Sequence, residues 1–177
     1  MLDTLTTLLQ PWADYYAASG VLPTATIAMH LLAILGGGGI AIGTDRQVLR
    51  TTIADPQALL ATADQLRGAH GVVIGSLAVI VVSGLALAAA DLGTFSTQPV
   101  FWVKMAAFAG LLANGSVMRR TESRVLAMVQ PVTDTPERPP AVTPAMTTAW
   151  NTLRRGAWGS LAGWFVIMLL GVLVANS

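Results

Sequence analysis

Few side chains in this chain can do chemistry: two histidines, His30 and His70, one lysine, Lys104, and seven methionines, with no cysteine. The lack of cysteine removes disulfides, thiolate metal sites, iron–sulfur clusters and covalently attached haem together. Imidazole and thioether chemistry remain. His30 follows Met29 directly, and Met105 and Met168 fall at similar depth in the apolar runs described below. A histidine with thioether partners suits cytochrome-like haem iron, and methionine also suits cuprous copper. His30, Met29, Met105 and Met168 are therefore the candidate metal set, with haem b or copper as the cofactor. Lys104 stands in Phe101-Trp102-Val103-Lys104. There an ammonium snorkels to the headgroups, pairs with Asp91, or anchors an acidic ligand group such as a haem propionate. The plainer reading of His30 is a hydrogen bond to helix backbone or to a hydroxyl, with Thr26 one turn earlier as an available partner.

These residues need long apolar helices to hold them. From Val21 to Gly43 there is no Asp, Glu, Lys or Arg. Roughly 20 apolar residues in helix cross a hydrocarbon core about 30 Å thick. A core helix of a soluble protein rarely stays apolar on every side for so long. The same criterion gives four spans, at about 21–43, 70–90, 99–118 and 157–175. Ahead of them, residues 1–20 carry Leu5, Leu8, Leu9, Trp12, Tyr15 and Tyr16 at three- and four-residue spacing. That pattern predicts an interfacial amphipathic segment, with Pro11 opening a second short helix and Gly20 stopping it. Asp55-Pro56 and Thr143-Pro144 each read as an N-cap followed by proline at the first helical position. The Gln57–Arg67 stem is polar, with Ala63 expected at its surface. The segment 131–144 holds five prolines and reads as a cytosolic linker inside a single membrane domain, 21–177.

Only 11% of the residues are charged, against roughly 25% in soluble domains, and the net charge of +1 offers no field for nucleic acid. Arginine is nonetheless unevenly placed. Arg46, Arg50 and Arg67 fall between spans one and two. Arg119, Arg120, Arg124, Arg138, Arg154 and Arg155 fall between spans three and four. The positive-inside rule puts both connections in the cytoplasm and both termini outside, in a bacterial inner membrane.

Depth then tests the histidines as a pair. His30 lies about 13 Å into span one at 1.5 Å per residue, whereas His70 opens span two at its cytosolic end. Two axial ligands of one iron need to be about 4 Å apart, so a single haem bridging them within one chain is disfavoured. Asn114, near the inner end of span three, is the expected hydrogen-bond partner of His70. The dinucleotide-like Gly36-x-Gly38-x-x-Ala41 lies inside a span with no strand or turn before it, and reads as helix packing. Gly36, Gly39 and Gly43, Gly71 and Gly75, and Gly159 and Gly163 are the expected close-approach faces. The fold expected is an all-α integral membrane protein, an antiparallel four-helix transmembrane bundle with an N-terminal interfacial helix.

Several short motifs run in one order along the chain. Met29-His30 sits in a Gly-rich span ending Thr44-Asp45-Arg46-Gln47-Val48-Leu49, followed by Ser83-Gly84 in span two. Phe101-x-x-Lys104 then opens span three, Asn114 lies near its end, and Trp164 lies in span four. This order resembles small bacterial four-span membrane proteins, distantly similar to copper-resistance-D membrane domains and to small cytochromes b. Resemblance to the copper proteins implies copper passage through Met29, His30, Met105 and Met168. Resemblance to the cytochromes implies haem electron transfer with quinone, although two-haem cytochromes need several paired span histidines. Three function classes follow. The first is a haem- or copper-handling redox component centred on His30. The second is a cofactor-free accessory or scaffold subunit of a larger membrane complex, or a homo-oligomer, docking through its Gly faces. The third is a transporter or channel. None of the three makes the chain an independent enzyme.

Overall fold

A computed structural model describes residues 2–133 and 142–175. The chain forms α1 (Leu2–Ala18), α2 (Leu22–Arg50), α3 (Pro56–Ala90), α4 (Leu92–Thr97), α5 (Pro99–Thr133) and α6 (Pro144–Ala175). The described residues contain no strand. Helices α2, α3, α5 and α6 are each long and apolar enough to cross a membrane. Their outward side chains confirm the solvent they are built for. Leu32 is 67% exposed, Val82 66% and Phe165 63%, in surfaces that water would not tolerate at this extent. The molecule is an all-α membrane bundle.

Local chemistry sets the helix starts as the sequence predicts. The Asp55 carboxylate accepts from the amides of Gln57 and Ala58, ahead of Pro56. Thr143 Oγ1 accepts from the Met146 amide, ahead of Pro144. The start of α2 was not foreseen: Ser19 Oγ takes the Leu22 amide at 3.1 Å. Much of the proline-rich linker, residues 134–141, lies outside the described residues, but Pro131 falls within α5 and Pro144 opens α6. Pro11 does not divide the N-terminal segment. One helix, α1, runs through it and docks on α3 through Trp12 Nε1, which donates to the Ala86 carbonyl at 3.0 Å.

The four long helices form a ring in which α2 packs on α3 and α6, α6 packs on α5, and α3 touches α5 least. The α2/α3 seam is strictly antiparallel. Stepping from His30 to Gly37 on α2 and on to Thr51 just past its end meets Ser83, Ser76 and Thr62 in turn on α3. Each helix also overruns a bilayer core. At 29 residues α2 is about 44 Å long, and at 35 residues α3 and α5 are about 52 Å. The overrun gathers at the end that carries the arginines, where the stems close a core of Val48, Leu59, Leu66, Val125, Met146, Trp150, Leu153 and Ala157. A second core, of Ala41, Ile80, Leu111, Trp164 and Ile167, lies within the spans.

Two packing expectations need correction. Ala63 is not a surface position: at 5% exposure it is buried in the stem core region. The glycine faces are also partly out of phase with the sequence reading. Gly37 and Gly38 are the buried pair, Gly37 directly against Ser76 and Gly38 under the Trp164 ring. A Cβ at Gly36, Gly39, Gly43, Gly71 or Gly75 would meet open space. Consecutive helical residues point about 100° apart, so a four-glycine run leaves the contacting face undetermined. Gly159 and Gly163 do pack as expected, against Asn114 and Leu111.

Candidate functional site

His30 sits in the seam between α2 and α3, with Nδ1 2.8 Å from Ser83 Oγ. The serine hydroxyl also lies 2.5 Å from the Val79 carbonyl, which can only accept, so its one proton goes there. Ser83 Oγ therefore accepts from His30 Nδ1–H, and this network assigns the lone pair to Nε2. The Ile80 backbone also hydrogen-bonds the ring. Gly84 makes the room: a Cβ there would stand 3.3 Å from His30 Cε1. Thr26, the partner offered by sequence, turns away and donates to the Leu22 carbonyl. His30 is thus bonded to a hydroxyl, but one on another helix.

The methionines stand in different surroundings. Met29 is 53% exposed and Met105 38%, while Met168 packs against the span core. Among the described residues, no three His, Cys, Asp or Glu side chains gather as a metal cluster. Lys104 does not pair with Asp91, which caps α4 by accepting from the Thr94 amide. Its Nζ lies 3.7 Å from where a Gly171 Cβ would stand, and its charge reaches His30.

At the arginine end the expected His70–Asn114 bond is absent. Asn114 Nδ2 donates to the Gly156 carbonyl at 2.9 Å, tying α5 to α6. His70 Nε2 lies 3.3 Å from Glu122 Oε2, tying α3 to α5 across the seam with the least backbone contact. Glu122 is buried, with Arg67 and Arg119 acting on it electrostatically. Asp45 is buried as well, at 3% exposure. It accepts a hydrogen bond from Ser160 on α6, and its Oδ2 has no partner.

Each seam of the ring therefore carries a polar clasp: His30–Ser83 for α2/α3, Asp45–Ser160 for α2/α6, Asn114–Gly156 for α5/α6, and His70–Glu122 for α3/α5. The sequence reading singled out one side of three of them, quoted Asp45 within a motif without giving it a partner, and missed Ser160 and Glu122. Depth matching could have found them, since Ser160 and Asp45 lie within a turn of the same span boundary.

No family model matches the chain, no curated protein matches it, and no solved structure matches its fold.

Proposed function

We propose that this membrane protein is an accessory or scaffold subunit, a rigid four-helix frame for partner helices. The observation that carries this reading is the set of four clasps. The two histidines, Asp45, Asn114 and Glu122 each hold one helix to the next, and the outer surface keeps a row of open glycines at Gly36, Gly39 and Gly43. Small residues on a lipid-facing helix permit close approach of another helix, from a larger complex or from a second copy. The arginine end faces the cytoplasm of a bacterial cell and the termini lie outside.

A second reading keeps His30 as the ligand of haem b or copper. Its support is the imidazole itself: Nδ1–H held by Ser83 and a lone pair on Nε2 is the arrangement of many metal-bound histidines. The nearby Lys104 charge adds to it. Met29 and Met105, turned outward, do not fit as ligands of the same ion within one chain.

Expression with haem and copper supplied separates the two readings. The scaffold reading expects colourless protein without bound copper, and His30→Ala that loses only thermal stability. A Soret band or stoichiometric copper that disappears in His30→Ala would overturn it in favour of the second. Orientation is checked on the cysteine-free chain. Thr97→Cys should react with an impermeant thiol reagent in intact cells and Ala54→Cys should not. The reverse labelling would invert the topology.

A further inference from the structure

The side chains of Asn151, Arg154, Arg155 and Trp158 line a shallow cleft of about 360 Å³ on the outer face of α6. Their spacing, at i, i+3, i+4 and i+7, puts all four on one side of the helix. The seam clasps use none of them. The ion pair found among the described residues lies elsewhere, at His70–Glu122, so the two guanidinium groups carry their charge to the surface. Trp158 is 65% exposed, at the point where the α6 stem passes into its apolar run.

The same face continues beyond the cleft. Ala162, Phe165 and Leu169 follow Trp158 at four-, three- and four-residue steps, and Phe165 and Leu169 are 63% and 62% exposed. One side of α6 thus presents a doubly cationic, hydrogen-bonding cleft with an aromatic floor, opening onto an apolar track. A guanidinium pair matches phosphate oxygens in charge and in fork geometry. An indole at the membrane boundary suits the headgroup level, and the track suits an acyl chain. A soluble phosphate compound would use the cleft and leave the track idle.

We propose that this face of α6 is a binding site for an anionic phospholipid, its phosphate in the Arg154–Arg155 cleft against Trp158 and Asn151, and an acyl chain along Phe165 and Leu169. The site belongs to the outer surface, away from His30, and stands whichever reading of His30 holds.

Native mass spectrometry of the full chain in non-ionic detergent tests it, with dioctanoyl phosphatidylglycerol, dioctanoyl phosphatidylcholine and glycerol 3-phosphate as probes. The expected result is a phosphatidylglycerol adduct at concentrations where the other two leave the protein bare. Arg154→Gln with Arg155→Gln should weaken that adduct roughly tenfold or more, through loss of two charge-assisted contacts. Arg120→Gln with Arg124→Gln, which removes the same charge from α5, should leave it unchanged. Trp158→Leu should weaken it while helicity by circular dichroism stays the same. Equal weakening by both double variants would reduce the effect to general charge attraction and overturn the site. Equal binding of phosphatidylcholine would overturn the anionic selectivity. Binding of glycerol 3-phosphate as tight as that of the lipid would overturn the lipid assignment in favour of a soluble anion.

Discussion

The two halves of the bundle are held together by different forces. At the arginine end, where the helices overrun the bilayer, large side chains from all four meet in one core. Val48 is 0% exposed, Leu59 and Leu153 1%, and Val125 2%. Within the spans, the core is smaller and glycines leave no room for a side chain at three places in the packing: Gly37 on Ser76, Gly38 under Trp164, Gly163 on Leu111. The reason is solvent. Apolar side chains that leave water gain roughly 25 cal/mol per Å² buried, and those that leave lipid gain almost nothing of the kind. A stem can therefore fill its core with leucine, whereas a span must rely on close backbone approach and on polar groups that lipid cannot satisfy. Polar ties also cluster toward the stems. Asp45–Ser160, His70–Glu122, Asn114–Gly156 and the 2.8 Å Thr51–Thr62 bond lie at or beyond that boundary, leaving His30–Ser83 as the tie placed deep in the apolar half.

This contrast ranks the expected effects of substitution. Leu153→Ala should cost most, about 2–5 kcal/mol, as the loss of a fully buried isobutyl group from a water-driven core. Its partner measurement is Leu169→Ala on the lipid face, and equal falls in the thermal midpoint in detergent would erase the distinction between the halves. Gly37→Leu comes next. It drives a side chain into Ser76 at a cost of about 1–3 kcal/mol, while Gly39→Leu enters open space and should be nearly silent. If both are tolerated alike, glycine contact does not hold the spans.

The smallest effect belongs to the deep clasp. His30→Ala and Ser83→Ala should each cost about 0.5–2 kcal/mol, since polar pairs in membrane bundles have modest net worth. Because the two side chains share one hydrogen bond, the double variant should lose little more than either single one. Fully additive losses would show that His30 and Ser83 act separately.

The number of apolar spans, the capped, proline-led starts of α3 and α6 and the clustering of arginine at one end were legible in the sequence, because each follows from local composition; the continuous α1 and the short α4 were not. His30 was legible as a polar group that needs a partner, and a hydroxyl was among the partners weighed. Ser83 itself was not identified as that partner, because 53 residues and a change of helix separate it from His30, and a single chain offers several hydroxyls at matching depth. His70 shows the same limit: an amide at the right depth, Asn114, was the sequence choice, while the structure turns that amide to α6 and brings Glu122 to the imidazole.

The amino-acid sequence by itself determined that this is a helical membrane protein with four apolar runs of spanning length, because hydropathy and helix capping act over a few neighbouring residues. Tertiary structure alone decided the rotation of each helix about its axis. That rotation buries Gly37 and Gly38 while Gly36 and Gly39 face outward, turns Met29 to lipid and His30 to Ser83, and lays Arg154, Arg155 and Trp158 along an open face. Rotation is a property of pairs of helices. In lipid, where apolar burial gives little guidance, it is settled by which small and polar groups fit together across a seam.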